Sequence, residues 1–133
     1  MKKKYILLIL LLFFQAVLFA QSNRKIVVMI TRANWCPTCR ANDSKVKNEL
    51  IPSFADSKDV VIVINDITNG RTKSKSMTTL QKEGVYEIAK EEKLTGSIAI
   101  INSAERQIVG RLYVVNSVEA IKNAIKEAVS KKD

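Results

Sequence analysis

The segment Trp35-Cys36-Pro37-Thr38-Cys39 constrains this chain more than any other, because it contains the only two cysteines and the only tryptophan. It follows an apolar run at residues 26–30, which is typical of a strand buried on both faces. A helical pattern begins near Cys36, and proline suits the first turn of a helix, where its missing N–H is not needed. Two cysteines at this spacing, between a strand and a helix, are typical of a redox pair.

The start of the chain has the pattern of a secretory signal peptide. Lys2, Lys3 and Lys4 form a basic start, residues 5–19 are almost wholly apolar, and Ala20 precedes a polar segment. We expect cleavage after Ala20, so that residues 1–20 are the signal peptide and residues 21–133 are one folded domain. The alternative is an uncleaved anchor, although this run is shorter than the roughly 20 apolar residues that span a bilayer. The expected location is periplasmic or otherwise exported, in a bacterial cell envelope, with membrane contact only through an uncleaved leader.

The chain is basic, with a net charge of +9. Its lysines are scattered, and the modest cluster at Arg71, Lys73 and Lys75 has no aromatic residues between its charges. A surface that stacks bases is therefore not indicated, and we expect no nucleic-acid partner. A bridge between Cys36 and Cys39 would close a very small loop, which constrains the unfolded chain least. A chemical role therefore fits the cysteine spacing better than a stabilising one.

Apolar runs and turn residues predict the element order β-α-β-α-β-β-α. The strands are expected at residues 25–30, 59–65, 97–101 and 107–115, and residues 66–77 are expected to be an exposed loop. One helix should run from residue 36 to about 54, kinked or ended by Pro52, and a second from 78 or 79 to about 93. The last helix has Asn116 as its expected cap, with Glu119 in the capping-box position, and Gly110 predicts a bulge or a close backbone approach. The fold class is therefore α/β, with a four-stranded mixed sheet and helices on both faces.

With this element order around Trp35-Cys36-x-x-Cys39, nearly all of the chain after the leader resembles the thioredoxin family, in a short form without thioredoxin's N-terminal strand and helix. The resemblance implies a thioredoxin-like fold and exchange of disulfides. It implies Cys36 as the nucleophile at the helix N-terminus and Cys39, one turn later, as the resolving cysteine. Trp35 is expected to lie beside the site as a hydrophobic shoulder, or else to be a plain core aromatic. Pro37 and Thr38 are expected to tune the reduction potential, Thr38 through a hydroxyl hydrogen bond.

Two features that are usual in that family are missing here. The family places a cis-proline just before the third strand, opposite the cysteines, where this chain has Gly96 or Ser97. We expect these two residues to border the substrate groove. Thioredoxin also has a buried aspartate six residues before the first cysteine, where this chain has Ile30. Proton transfer from Cys39 therefore needs water or another group, such as Asp66.

The leading hypothesis is a thiol–disulfide oxidoreductase of the cell envelope. Its expected partners are protein disulfide or dithiol substrates and a membrane or soluble redox partner, and no cofactor or metal is expected. Two alternatives stay open. The thiolates could bind a soft metal such as Cu(I) or Zn(II), which needs ligands from a partner because the chain has no histidine. The chain could also be a thioredoxin-like adaptor whose cysteines no longer react. The direction of electron flow does not follow from these residues.

Overall fold

The computed structural model describes residues 25–132, and the predicted signal peptide with its cleavage after Ala20 lies outside them. Four strands form one sheet in the order β2-β1-β3-β4. They are β1 (Ile26–Arg32), β2 (Val60–Asp66), β3 (Ser97–Asn102) and β4 (Gln107–Tyr113). The α-helices are α1 (Pro37–Lys45), α2 (Gly70–Lys82), α3 (Tyr86–Glu91) and α4 (Val118–Lys131). In this part of the chain no helix is long and apolar enough to cross a bilayer.

The strand β1 lies in the middle of the sheet because its side chains are apolar on both faces. It runs parallel to β2, with Ile30 opposite Ile64, and antiparallel to β3, with Ile30 opposite Ile98. Every residue of β1 except Arg32 is buried. Burial of a large aliphatic side chain is worth about 1.5–3 kcal/mol, so much of the fold's stability is concentrated in this strand. The predicted α/β class with a four-stranded mixed sheet is confirmed.

The two faces of the sheet carry separate apolar cores. On one face Ile100 packs with Leu50, which follows α1, and with Ile121 of α4. On the other face Met29 packs with Leu80 of α2. Because neighbouring side chains of a strand point to opposite faces, β1, β2 and β3 each contribute to both cores. The helix that carries the cysteines therefore lies on the α4 face, and α2 and α3 cover the opposite one.

The prediction of an exposed loop at residues 66–77 is wrong, because α2 begins inside it. Asn69 caps this helix, since its Oδ1 accepts hydrogen bonds from the N–H groups of Arg71 at 2.9 Å and Thr72 at 3.1 Å. In return, Thr72 Oγ1 accepts from the Asn69 N–H at 3.1 Å, which completes a capping box. The helix was not predicted because Leu80 is its only buried residue, so its polar sequence shows no apolar period. The helix predicted to end near residue 93 is two helices, separated at Gly84, where φ is +73°.

The first helix is close to its prediction, with a change of hydrogen-bond pattern. The α-helical part ends at Lys45, and a π-helical turn (Val46–Leu50) and a 3₁₀ turn (Pro52–Phe54) continue it. The Ile51 N–H donates to the Val46 carbonyl at 3.0 Å, which is the wider bond of a π turn. Regular helix ends before Pro52, as predicted.

The last helix is capped one residue later than predicted. Ser117 Oγ accepts from the Ala120 N–H at 3.1 Å, so Ser117 and not Asn116 is the N-cap. Asn116 instead closes the preceding turn, because its Oδ1 accepts from the Tyr113 N–H at 2.8 Å. That turn also ends β4 at Tyr113, two residues before the predicted end of the strand.

The irregularity predicted at Gly110 is confirmed. Gly110 pairs with Ile100, and the register shifts between Ile100 and Ile101. A Cβ atom at position 110 would lie 3.4 Å from Ile100 Cδ1, so the missing side chain allows the close approach.

Candidate redox site

The cysteine pair lies where β1 passes into α1. After the strand, the Cys36 N–H donates to the Ala33 carbonyl at 3.2 Å and closes a turn. Cys36 is the N-cap of α1, and its Sγ accepts from the Cys39 N–H at 3.2 Å. Pro37 occupies the first turn, as predicted. Sulfur at this place meets the unpaired N–H groups and the positive end of the helix dipole, both of which favour a thiolate.

The surroundings of Cys36 favour its charged form. Burial is the largest single influence and alone would raise the pKa of Cys36, which is only 5% exposed. Hydrogen bonds from the Cys39 thiol, the Thr95 hydroxyl and the N–H groups of Cys39 and Thr38 together outweigh burial, so the pKa of Cys36 lies below the ordinary thiol value. Donors directed at an anion stabilise it relative to its protonated form. Cys36 is therefore the partner that loses its proton first.

Cys39 has the opposite tendency. Burial raises the pKa of Cys39, and its hydrogen bond to Cys36 and the charge of that thiolate raise it further. The Ala33 N–H and the positive charge of Arg32 lower this pKa without reversing the result. The two thiols titrate as a coupled pair, in which one sulfur is the thiolate and the other retains a proton. Both are free thiols in this structure.

Thr95 is the functional residue that the sequence did not reveal. It lies between α3 and β3, and its hydroxyl donates to Cys36 Sγ. The predicted hydroxyl donor, Thr38, acts on Cys36 through its backbone N–H instead. The signal that could have identified Thr95 is a hydroxyl residue just before the third strand, where the family's cis-proline loop would face the cysteines.

Gly96 and Ser97, the predicted border of the substrate groove, differ in their placement. A Cβ atom on Gly96 would lie 4.0 Å from Cys39 Sγ and 3.9 Å from Thr38 Cγ2, so this residue borders the pair. Ser97 is 0% exposed and belongs to the opposite face of the sheet, so it does not line a groove open to a substrate. The peptide bonds of residues 25–132 include no cis bond. A contact between Gly96 and substrate stays a prediction.

Trp35 lies beside the pair and outside the core. It is 61% exposed, so the alternative of a core aromatic is wrong. Its Nε1 donates to the Thr68 carbonyl at 3.3 Å. The Thr68 hydroxyl accepts from the Asn34 N–H at 2.9 Å and donates to Asp66. The loop before Cys36 is therefore attached to the end of β2.

Asp66 fixes this loop and does not contact the cysteines. Burial, the largest influence, raises the pKa of Asp66, but hydrogen bonds from Thr68 and Thr72 and the charge of Arg32 lower it by more. Arg32 Nη1 lies 3.5 Å from Asp66 Oδ2. Within residues 25–132 these contacts account for the carboxylate, so a role as proton acceptor for Cys39 is not supported. Ile30 is fully buried in the apolar core of the α1 face, as its sequence indicated.

The described residues do not assemble a metal site. No group of three or more His, Cys, Asp or Glu side chains between residues 25 and 132 is close enough to hold an ion. The pair offers two thiolates, whereas a structural zinc site takes four ligands. A closed zinc site at these cysteines therefore requires two further ligands.

The fold was compared with solved structures and with known sequences. The crystal structure of Trxlp from Edwardsiella tarda EIB202 is 18% identical over 84% of this chain and 91% of that chain, with a TM-score of 0.49. The solution structure of a candidate protein disulfide isomerase from Bacteroides thetaiotaomicron is 18% identical over 82% of this chain and 75% of that chain, with a TM-score of 0.51. No family model and no curated protein matches the sequence. At this identity the second likeness concerns the fold alone, and with the sheet topology it shows that the chain has a thioredoxin-like fold.

Proposed function

We propose that this protein is a thiol–disulfide oxidoreductase in which Cys36 is the nucleophile and Cys39 the resolving thiol. The observation that carries the proposal is the opposite direction of the two pKa values at the start of one helix. A disulfide that only stabilised the fold would need no such difference between its sulfurs. Exchange chemistry needs one thiolate at the start and one thiol held in reserve.

In the reducing direction the Cys36 thiolate attacks one sulfur of a substrate disulfide. The substrate S–S bond breaks, a mixed disulfide with Cys36 forms, and the other substrate sulfur leaves as a thiolate. Cys39 then gives its proton to water and attacks Cys36 Sγ. The bond to the substrate breaks, the Cys36–Cys39 disulfide forms, and the second substrate sulfur leaves. Two electrons have passed from the pair to the substrate, and the reverse sequence donates a disulfide to a dithiol.

The geometry assigns supporting roles around this reaction. The Thr95 hydroxyl stabilises the Cys36 thiolate before attack in the reducing direction, and it stabilises the same thiolate as the leaving group of the last step when the pair donates its disulfide. Trp35 presents an exposed aromatic surface next to Cys36, which supports a polypeptide substrate with apolar side chains beside its disulfide. The Asp66–Thr68 contacts keep the Trp35 loop in place.

The proposal includes export and a second redox protein. The pattern of residues 1–20 supports a location in the cell envelope, where structural disulfides form and are exchanged. An enzyme that reduces disulfides there requires a membrane or soluble donor to return its own disulfide to the dithiol. An enzyme that oxidises dithiols requires the corresponding acceptor.

The test is the reduction of insulin disulfides by dithiothreitol, with and without the protein. The wild-type chain should accelerate the reaction, and Cys36→Ser should not. The matched Cys39→Ser variant keeps the nucleophile, so it should form a mixed disulfide but turn over slowly. Equal rates for wild type and Cys36→Ser would overturn the proposal.

A further inference from the structure

On the face of the sheet that α2 and α3 cover, a cavity of about 410 Å³ opens between β2 and these two helices. The buried residues that form its base are Asn65, Leu80 and Ala89. The half-buried and mostly apolar residues that form its walls are Ile67, Met77 and Tyr86. This volume is within the range of about 300–1,000 Å³ that is usual for small-molecule sites. Neither cysteine lines this cavity, although Ile67 also packs against the cysteine pair on its other side.

The base of the cavity contains a polar side chain with unused hydrogen-bonding capacity. Asn65 is 4% exposed, and its Nδ2 donates to Thr31 Oγ1 at 3.3 Å and to the Ala89 carbonyl at 3.5 Å. A carbonyl accepts only, so this contact assigns Nδ2 to that side of the amide. Among residues 25–132 nothing donates to Asn65 Oδ1. This oxygen is not fully enclosed, since Ser97 Oγ is the one fully buried side-chain polar atom without a partner in the part of the chain that the structure describes. Asn65 Oδ1 is therefore open to the cavity, where an occupant with an O–H group can donate to it.

The mouth of the cavity is positively charged. Lys73, Lys90 and Lys93 line it together with one carboxylate, Glu92. Glu92 is neutralised by Arg111, whose Nη1 lies 2.5 Å from Glu92 Oε2. Lys90 is paired with a glutamate of its own helix, and Lys93 Nζ donates to the Lys90 carbonyl at 2.9 Å. The Lys73 ammonium makes no ion pair within the described part of the chain, so the mouth favours an anion.

The walls between these two ends favour an aromatic ring. Tyr86 contributes a half-buried ring, which has Lys90 Nζ over it at 5.6 Å from the centroid, and Met77 contributes a thioether, which makes favourable contacts with aromatic edges. We infer that the cavity binds a small hydroxyaryl carboxylate. Its carboxylate lies near Lys73 and Lys93, its ring lies between Tyr86 and Met77, and its hydroxyl donates to Asn65 Oδ1.

The inference is tested by titrating the protein with phloretate (hydroxyphenylpropionate) and following its amide NMR spectrum, which detects weak binding. The Cys36→Ser/Cys39→Ser double variant is used, so the result is independent of the proposed redox function. Phloretate should bind saturably and shift the signals of Asn65 and Tyr86. Phenylpropionate, which lacks the hydroxyl, should bind about two- to tenfold more weakly. Tyramine, which replaces the carboxylate by an ammonium, should not bind saturably.

Variants at the mouth separate this site from non-specific attraction to a basic protein. Lys73→Gln should weaken phloretate binding about two- to fivefold. Lys75→Gln removes the same charge from an exposed position of the same helix that does not line the cavity, and it should change nothing. Ser74→Trp places a large side chain at the mouth, without changing a buried position, and should abolish binding. Absence of saturable binding, equal affinity for tyramine, or an equal effect of Lys75→Gln would overturn the inference.

Discussion

Replacing Thr95 by valine tests how the nucleophile is activated, because it removes the hydroxyl that donates to Cys36 and keeps the shape of the side chain. A hydrogen bond to a charged group is worth about 1.5–3 kcal/mol. Thr95 is half-buried, so the lower end applies, which corresponds to about tenfold less thiolate at a pH below the pKa of Cys36. A more basic thiolate is also intrinsically more nucleophilic, with a Brønsted slope of about 0.4–0.5. The net alkylation rate at low pH should therefore fall about three- to fourfold.

The assay is the pH dependence of alkylation by iodoacetamide in a Cys39→Ser background, where one thiol titrates without coupling. The rate rises with pH as the thiolate forms. In this background the serine hydroxyl replaces the Cys39 thiol as a donor to Cys36 Sγ, and the Thr95 hydroxyl and the backbone N–H groups are retained. The rise should therefore still occur below the ordinary thiol value of about 8.5. With Thr95→Val the rise should move to higher pH and end at a plateau about threefold higher, so the two profiles cross.

Thr38→Val is the matched control. The backbone N–H through which Thr38 acts on Cys36 is retained, and its hydroxyl is not among the groups that lower the pKa of Cys36. Its profile should coincide with that of the parent. Profiles for Thr95→Val and the parent that do not separate, or an equal displacement in Thr38→Val, would refute the reasoning. An ordinary thiol profile in the parent itself would instead favour an adaptor with unreactive cysteines.

Three further predictions concern the surroundings of the site. Asp66→Asn removes a carboxylate whose pKa burial would raise, but which Thr68, Thr72 and Arg32 together lower. The free energy of unfolding, measured with urea at neutral pH, should therefore fall by about 1–2 kcal/mol. Because the pKa of Asp66 is lowered in the folded protein, this stabilisation is complete above the unfolded pKa of about 3.9 and is lost as the pH falls through the folded pKa. The free energies of unfolding of the two proteins should therefore become equal in acid. A difference in unfolding free energy that does not change with pH would contradict the assignment. Gly96→Ala places a side chain at φ +82° with its Cβ 3.4 Å from Val114 Cγ2, and it should lower the free energy of unfolding by about 1–2 kcal/mol. The control is Gly70→Ala, whose Cβ has nothing within 4 Å and which should cost no stability. Equal urea midpoints for the two variants would contradict this prediction. Trp35→Ala should change the free energy of unfolding by less than about 0.5 kcal/mol, since the side chain is 61% exposed. The same variant should lower kcat/KM for insulin more than for oxidised glutathione. An equal loss for both substrates would exclude a role of Trp35 in docking polypeptides.

The parts of the fold that could be predicted are those encoded by neighbouring residues. The buried strand β1 follows from five consecutive apolar residues, and the start of α1 follows from Pro37 after Cys36. The close approach at Gly110 follows from a glycine inside a strand. In each case the local pattern and the tertiary structure favour the same conformation, so the pattern was sufficient.

The parts that could not be predicted depend on backbone caps or on contacts between distant segments. The helix α2 begins at a capping box formed by Asn69 and Thr72, but its exposed faces give no apolar period to read. Thr95 is 59 positions after Cys36 in the chain, and only the packing of β3 against β1 brings its hydroxyl to the sulfur. Asp66 could be proposed as a proton acceptor from its residue type alone. Its partners in the structure include Thr68 and Arg32, and the contact with Arg32 depends on the pairing of β1 with β2, which the residue type does not reveal.

The most direct test of the central claim is to trap the mixed disulfide. Reduced Cys36→Ser and Cys39→Ser variants are each incubated with native insulin, whose disulfides are intact, near neutral pH, and the covalent adducts are followed by intact-mass spectrometry. The account predicts that Cys39→Ser accumulates an adduct through Cys36, whose pKa is lowered. It predicts little adduct in Cys36→Ser, because burial, the largest influence on Cys39, still raises the pKa of this thiol and leaves it only 4% exposed. An adduct that forms equally fast in both variants, or only through Cys39, would contradict the assignment of Cys36 as the nucleophile.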